Sequence, residues 1–280
     1  MFSQYELKIQ MLFNGNYVFS HYLPLSYLPV WILITTPIIV LLLFFIGYTF
    51  LVKRSFVRII NIKEDAVYKD FWRSKKEKKD FFIIFNFTLI FFYIILSNTV
   101  LYTGWRHLYF LHIFIIYIGC FAIYLIDLKI KKKIITFFIL AIFISINFYQ
   151  IFKFHPYQNS YFNIMILDSK KKDFEIDYWG LAGAKFINEI LSIEKENKLI
   201  KIGVASFIPL ERSLKILKKD KIKRVEIVGQ DYKSADYIFN NNMSEVNKNK
   251  NKKYNIPTNF KKINEFAING FIIYELYKKI

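Results

Sequence analysis

The sequence predicts an α-helical membrane protein with four transmembrane helices, followed by a small extracytoplasmic α/β domain that ends in a β-hairpin. Three observations support this prediction. Four long apolar stretches contain no Asp, Glu, Lys or Arg, basic residues concentrate in two of the intervening loops, and short alternating elements follow from about residue 154. The content of 54% hydrophobic and 20% aromatic residues excludes a disordered chain, because disordered segments lack the apolar surface to form a core.

The four apolar stretches cover residues 27–52, 81–100, 108–126 and 134–152. Since about 20 helical residues cross about 30 Å of hydrocarbon, each stretch predicts one span. Pro37 lies in the first stretch, and we expect it to kink that helix while a threonine or a neighbouring helix satisfies the freed carbonyl. The predicted regions are therefore a leader at 1–26, a transmembrane region at 27–153 and a domain at 154–280.

The basic residues predict the orientation of the chain. Ten Lys and Arg residues lie between spans one and two, and four lie between spans three and four, whereas residues 101–107 contain only Arg106 and the leader only Lys8. By the positive-inside rule, the N-terminus and the C-terminal domain are extracytoplasmic in a multi-pass protein of the cell membrane. A net charge of +18 would favour nucleic acid in a soluble chain, but here we attribute it to topology and predict no nucleic-acid partner.

The leader resembles an extracytoplasmic loop that has lost a preceding helix. It shows no basic segment followed by an apolar segment and a cleavage site, as a signal peptide would. We therefore expect the chain to be the C-terminal part of a longer protein, with an upstream N-terminal half. A short translocated tail is the alternative.

The predicted C-terminal domain combines helices and strands. Apolar spacing predicts a helix at 181–196, KIGVAS at 201–206 a buried strand, 210–217 a helix and VEIV at 225–228 a second strand, which together form a small βαβ-like pattern. Residues 241–260 are rich in Asn and Lys and predict a mobile loop. Asn269-Gly270 between alternating apolar residues predicts the terminal hairpin, because both turn positions require positive φ.

Signatures of soluble enzymes are absent from the sequence. There is no GxxxxGK[ST], GxGxxG, GxSxG or HExxH motif, and Cys120 is alone, which excludes an internal disulfide. No metal site and no cofactor is predicted from these residues. His112 lies inside the third span, where it is either an interface residue or a functional group.

Two aromatic and basic clusters lie on the predicted extracytoplasmic face. They are either aromatic belts with a snorkelling arginine or a cradle for an anionic lipid headgroup, in which Arg106 pairs with phosphate. The candidate lipid-phosphate or substrate-binding residues are Tyr102, Trp105, Arg106 and His107 in the first cluster, and His155, Tyr157, Gln158, Tyr161 and Asn163 in the second.

Several motifs in order resemble the bacterial integral-membrane glycosyltransferases of the GT-C fold. These are similar to the protein mannosyltransferases of glycosyltransferase family 39 and to the aminoarabinose transferases. The motifs are LPLSYLPVWILITTP (23–37), YTGWRHLYFL (102–111), HPYQNSYFN (155–163), FEIDYWGLAGAKFINEIL (174–191), SADYIFNN (234–241) and NGFIIYELYKK (269–279). The likeness covers nearly all of this chain and the C-terminal half of such an enzyme.

The resemblance implies transfer of a sugar from a polyprenyl-phosphate donor to an outward-facing glycan, lipid or protein acceptor. The displacement would be inverting and assisted by a carboxylate or by a divalent metal in the complete enzyme. The family's catalytic carboxylate lies in a loop after the first span, and Asp168, Asp173, Glu175 and Asp177 do not match that position. No catalytic residue is therefore identified in this chain.

Asp177 and Trp179 are candidate contacts to the acceptor or sugar. Asp177 is alternatively a cap for the helix that begins near Gly180, and Trp179 an interface anchor or packing residue. Tyr161 and Asn163 bind substrate or form a turn that docks the domain. The alternative function is a non-catalytic membrane binding or assembly module that retains the fold without the catalytic loop. Transport is a weaker hypothesis, because no broken helix pair or inverted repeat is visible.

Overall fold

A computed structural model describes residues 8–61, 72, 74–130, 133–196 and 198–280. Lys63, Lys69, Arg73, Lys131 and Lys132, which belong to the predicted basic loops, lie outside the described residues. The chain divides into two compact units. The helical unit comprises the described residues of 24–150 with 162–165, and the sheet unit comprises 8–23, 151–161 and the described residues of 166–280.

Four helices in the described part of the chain are long and apolar enough to cross a membrane. They are α2 (Ile38–Ile60), α3 (Lys75–Leu96), α4 (Leu111–Lys129) and α5 (Lys133–Phe154), preceded by the shorter α1 (Tyr27–Thr35). In their most apolar windows only 22%, 22%, 28% and 6% of residues are buried. Because most of their apolar side chains face outward, the four helices indicate a multi-pass membrane protein.

The first predicted span is divided into two helices rather than kinked. Proline disfavours the helical conformation of the residue before it, and Thr36 is accordingly extended, with φ −89° and ψ 135°. Helix α1 ends at Thr35, and α2 begins at Ile38, after Pro37. The Thr35 hydroxyl donates to the Trp31 carbonyl at 2.6 Å, but the carbonyl that Pro37 frees is that of Leu33, and it accepts from the Asn163 amide instead of a threonine.

Helices α2 and α3 extend further into the basic loop than the sequence analysis predicts. The last turns of α2 remain helical because their charges are paired: Arg54 lies 2.9 Å from Asp80 and Arg58 lies 3.0 Å from Glu77. Ser74 caps α3 by accepting the Glu77 N–H at 3.2 Å, a capping arrangement that fixes the start of the helix.

Glycines allow close approach of α2 and α4. A Cβ on Gly47 would lie 2.1 Å from the Ile118 carbonyl oxygen, so only glycine fits at this crossing. Gly119 faces Leu43 with more room, since its Cβ would lie 3.5 Å from the nearest atom. Small residues at a crossing are the usual means by which membrane helices gain packing contacts.

The sheet unit contains a five-stranded mixed sheet that ends in antiparallel strands. Its strands are β3 (Ile200–Val204), β4 (Val225–Gly229), β5 (Tyr237–Asn240), β6 (Phe260–Ile268) and β7 (Phe271–Lys279), in the order β4-β3-β5-β7-β6. Strand β3 is parallel to β4 and β5, as the βαβ-like pattern predicts, with α7 (Glu211–Leu214) and α8 (Lys219–Ile222) between β3 and β4. The terminal hairpin is also present, with positive φ at Asn269 and Gly270.

The core of the sheet unit forms between the sheet and α6 (Gly183–Ile193). Phe186 of α6 is fully buried, and its ring lies 4.8 Å from Phe239 of β5 and 5.4 Å from Tyr274 of β7. Each ring removes a large apolar area from water, so this aromatic trio stabilises the docking of the helix.

The predicted leader contains a β-hairpin rather than only a loop. Strands β1 (Gln10–Phe13) and β2 (Asn16–Phe19) are joined by Asn14 and Gly15, both with positive φ. The hairpin belongs to the sheet unit, because Gln10 donates its N–H to the Glu245 carbonyl at 2.8 Å and Gly15 donates to the Asp173 carbonyl at 2.9 Å. Two-stranded hairpins are marginal alone, so these contacts explain its order.

Candidate functional site

The candidate residues are distributed over both compact units. Tyr102, Trp105, Arg106, His107 and Asn163 lie in the helical unit, whereas His155, Tyr157, Gln158, Tyr161, Asp177 and Trp179 lie in the sheet unit.

Trp105 is the buried anchor of the first cluster. Its side chain is 2% exposed, and its indole N–H donates to the Thr35 hydroxyl at 2.9 Å. The Thr35 hydroxyl in turn donates a hydrogen bond to the Trp31 carbonyl in α1. The ring also lies 4.5 Å from the ring of His112, which therefore has an aromatic neighbour at the start of α4. Trp105 thus fixes the 101–108 segment against α1.

Arg106 and His107 follow this anchor in a single 3-10 turn, Arg106–Leu108. Arg106 is half-buried, and His107 is exposed with its ring 5.8 Å from that of Tyr102 in an edge-to-face arrangement. Partial burial and then the positive charge of Arg106 lower the pKa of His107 below its usual value. At neutral pH the pair is therefore a guanidinium beside a neutral imidazole, which can offer charge and hydrogen bonds to an oxyanion.

The second cluster combines exposed polar groups with packed tyrosines. His155 and Gln158 are exposed and joined at 3.1 Å through Nδ1 and Nε2. Tyr157 is buried against Phe266 at 5.4 Å, and the ring of Tyr161 lies 5.2 Å from Phe154. Burial, and then the charge of Asp177, raise the pKa of Tyr157, so its hydroxyl stays protonated at neutral pH.

Asn163 binds the broken end of α1. Its side-chain amide donates to the Leu33 carbonyl and to the Thr36 carbonyl, both at 2.6 Å, and its main-chain N–H donates to Ile34 at 2.8 Å. The Leu33 carbonyl would normally accept from residue 37, which is proline and has no N–H. Both amide donors of Asn163 are therefore engaged in closing the helix break within the helical unit.

Asp177 caps the turn that leads into α6. Its carboxylate is fully buried and accepts the N–H groups of Leu181 at 2.9 Å and Ala182 at 3.2 Å, with the Asn159 amide at 3.3 Å. Burial raises the pKa of Asp177, and these hydrogen bonds act in the opposite direction. Asp177 therefore stabilises the turn before α6 rather than the helix end itself, because α6 begins at Gly183 with Ala182 at its N-cap and no side-chain cap. Trp179, by contrast, is 56% exposed and has its ring 5.6 Å from Tyr178.

The other acidic candidates hold the N-terminal hairpin in place. Glu175 is 5% exposed and accepts the Leu12 N–H at 3.2 Å. Asp173 accepts from Gly15 through its main chain and pairs with Lys170 at 3.4 Å. Among the described residues, no three His, Cys, Asp or Glu side chains lie close enough to hold a metal ion.

A charged network in the helical unit was missed by the sequence analysis. Asp80 is 7% exposed and accepts from Arg54 of α2 and from the Tyr117 hydroxyl of α4, both at 2.9 Å. The Arg54 guanidinium also lies 5.3 Å from the centre of the Phe121 ring. The network joins three helices near their basic ends. Asp80 adjoins a run of lysines in the sequence, so its local context does not indicate hydrogen bonds with Arg54 and Tyr117, which are 26 and 37 positions away.

Comparison with known proteins yields no matching family model, curated protein or solved structure.

Proposed function

We propose that this chain is the C-terminal part of a membrane glycosyltransferase that moves a sugar from a polyprenyl-phosphate donor to an outward-facing acceptor. The observation that carries the proposal is the Arg106 and His107 pair, which lies on a 3-10 turn between the anchored Trp105 and the membrane-length helix α4. A phosphate carried on an isoprenoid requires a cation at such a position beside apolar surface. The ordered motifs quoted for the family support the same proposal.

The proposed orientation places the sheet unit and the N-terminal hairpin on the extracytoplasmic face of the cell membrane. The hairpin and the five-stranded sheet belong to one unit, so an even number of crossings must separate them. The four membrane-length helices satisfy this requirement. The basic residues at the ends of α2 and α3, including Lys53, Arg54, Lys75 and Lys76, then face the cytoplasm.

In the proposed reaction, an acceptor hydroxyl attacks the anomeric carbon of the donor. The new glycosidic bond forms as the bond between that carbon and the phosphate oxygen breaks, and the polyprenyl phosphate leaves with an additional negative charge. Arg106 offsets this charge, and the imidazole of His107 hydrogen-bonds a phosphate oxygen. The proton of the acceptor hydroxyl passes to a carboxylate base, which we place in the preceding part of the enzyme.

The experiment compares Arg106→Ala, Arg106→Lys and Arg212→Ala in the complete protein in membrane vesicles. Arg212 is an exposed arginine of α7 and serves as the control. We expect Arg106→Ala to lower transfer from a radiolabelled polyprenyl-phosphate sugar by roughly 100-fold or more, as loss of one charge-stabilising donor does elsewhere. Arg106→Lys should retain part of the activity. Transfer by Arg106→Ala within twofold of the wild type would rule out the proposed role.

The alternative is a non-catalytic binding or assembly module. Trp105, Tyr157, Asn163 and Asp177 all have structural contacts, which favours this alternative. In that case, the 280-residue chain alone would restore normal function to cells that lack the gene, and every Arg106 variant would do the same. Failure of the chain alone, with rescue by a longer protein, would contradict it.

A further inference from the structure

The sheet unit contains a cavity that the proposed function does not use. Its volume is about 480 Å³, which is within the usual range for small-molecule sites. The N-terminal hairpin contributes Leu12 and Tyr17 to its wall, and the turn of the β6–β7 hairpin contributes Gly270 and Phe271. All of its lining residues belong to the sheet unit.

Asn241 supplies an unsatisfied donor at this cavity. The residue is 2% exposed, and its side-chain oxygen accepts from the Ser206 hydroxyl at 2.5 Å and from the Met243 N–H at 3.2 Å. Its amide nitrogen is buried and has no hydrogen-bond partner among the described residues. Because an unsatisfied buried donor is destabilising, an acceptor atom placed beside this nitrogen would be stabilising.

Two lysines give the cavity a positive character. Lys172 is exposed at its rim, and Lys248 is partly buried in its wall. Burial lowers the pKa of Lys248 to about 8, while the negative charge of Glu275 acts in the opposite direction. Glu275 itself accepts from Asn240 and Tyr277, both at 2.9 Å. A partly buried ammonium is stabilised when an anion binds beside it.

Aromatic and apolar side chains form the rest of the wall. Tyr17 lines the wall, and burial raises the pKa of its hydroxyl, while a hydrogen bond with the Lys248 main chain acts in the opposite direction. Phe174 and Phe271 add apolar surface. A few polar groups among aromatic walls suit a ligand with hydroxyls, an apolar ring face and one charged group.

We propose that this cavity binds an anionic sugar unit, with its carboxylate or phosphate on Lys248 and Lys172 and a further oxygen on the Asn241 amide. Arg106 belongs to the helical unit and does not line the cavity. Because binding in the cavity does not depend on sugar transfer, it can be measured independently of the proposed glycosyltransferase reaction.

The test measures binding to the purified 280-residue chain in detergent micelles by isothermal titration calorimetry at pH 7. The probes are glucuronate, glucose 6-phosphate, glucose and inorganic phosphate. We expect at least one charged sugar to bind about tenfold or more tightly than glucose and than inorganic phosphate, because charge and sugar contacts are both required. The better of the two charged sugars identifies the anionic group.

Lys248→Met is the decisive variant, and Lys250→Met is its matched control. Lys250 is an exposed lysine two positions further along the same segment and does not line the cavity. Lys248→Met should weaken binding of the charged sugar about tenfold without changing that of glucose, whereas Lys250→Met should bind like the wild type. Lys172→Met, at the exposed rim, provides a second variant that leaves the wall intact.

Three results would overturn the proposal. They are the absence of binding by either charged sugar, equal affinity for inorganic phosphate and the charged sugars, and equal loss of binding in Lys248→Met and Lys250→Met. Arg106→Ala should retain wild-type binding in the same assay. A failure of sugar transfer in that variant is thereby distinguished from a failure of the cavity.

Discussion

The hydrogen bonds of Asn163 allow a specific prediction about the free energy of unfolding. Asn163→Ala removes both side-chain donors and leaves the main-chain bond to Ile34 intact. The carbonyls of Leu33 and Thr36 then lose partners in a site where Asn163 is 5% exposed and Thr36 is fully buried. Each unsatisfied buried carbonyl costs about 1–3 kcal/mol, so loss of both partners should lower the free energy of unfolding by about 2–6 kcal/mol.

The assay is unfolding of the detergent-solubilised chain by sodium dodecyl sulfate, followed by tryptophan fluorescence. Trp31 reports on this region, because its ring lies 5.8 Å from the ring of Phe162. Asn163→Asp keeps the size of the side chain but replaces the donating amide group with a second oxygen, which would face the carbonyl oxygens of Leu33 and Thr36. This variant should therefore be at least as destabilising as the alanine variant.

Asn147→Ala is the matched control. The Asn147 amide donates to the Phe143 carbonyl at 2.8 Å within α5, where that carbonyl also has a main-chain donor. We expect this variant to lie within about 0.5 kcal/mol of the wild type. Equal stability of Asn163→Ala and Asn147→Ala would refute the view that Asn163 satisfies the helix break.

Three further predictions use the same unfolding assay. Gly47→Ala should destabilise the chain by about 1–3 kcal/mol, because its Cβ would meet the Ile118 carbonyl. Gly119→Ala should have little effect, and equal effects of the two variants would contradict the close crossing of α2 and α4 at Gly47. Lys248→Met should stabilise the chain at pH 7 by about 1–2 kcal/mol after solvent screening, because folding lowers the pKa of Lys248 from 10.5 to about 8. This advantage of the variant should disappear as the pH rises from 8 to 10.5. An advantage that stays constant with pH would contradict the charge effect. Asp177→Ala should lower the free energy of unfolding by about 1–2 kcal/mol, because the N–H groups of Leu181 and Ala182 lose their acceptor. Asp177→Asn should lower it less, since the amide keeps one acceptor oxygen, and equal losses would contradict this role of the carboxylate.

Local sequence patterns predict the local structure of this chain well. The long apolar stretches and Asn269-Gly270 identify the membrane-length helices and the terminal hairpin, which depend on neighbouring residues. Asn14-Gly15 carries the same hairpin signal, and applying it would have revealed β1 and β2. Strand β5 was harder to predict, because four consecutive buried residues show no alternation.

The candidate site was less predictable, because its contacts join residues far apart in the sequence. The Asn163 amide contacts carbonyls 127 and 130 positions away, and no local pattern encodes such a pairing. The cavity likewise combines the N-terminal hairpin with Lys248, in a segment that composition alone predicts to be a mobile loop. Tyr254 in that segment is buried, and its hydroxyl donates to Glu245 at 2.6 Å.

The contact between the N-terminal hairpin and the sheet unit has a consequence for synthesis on the ribosome. The hairpin strands end at Phe19, but the Glu245 carbonyl that binds Gln10 is made more than 200 residues later. At about 5–20 residues per second, the hairpin waits roughly 10–45 s for this partner. During that interval the four membrane-length helices are synthesised, so the hairpin precedes them in the chain but reaches its native contacts only after them.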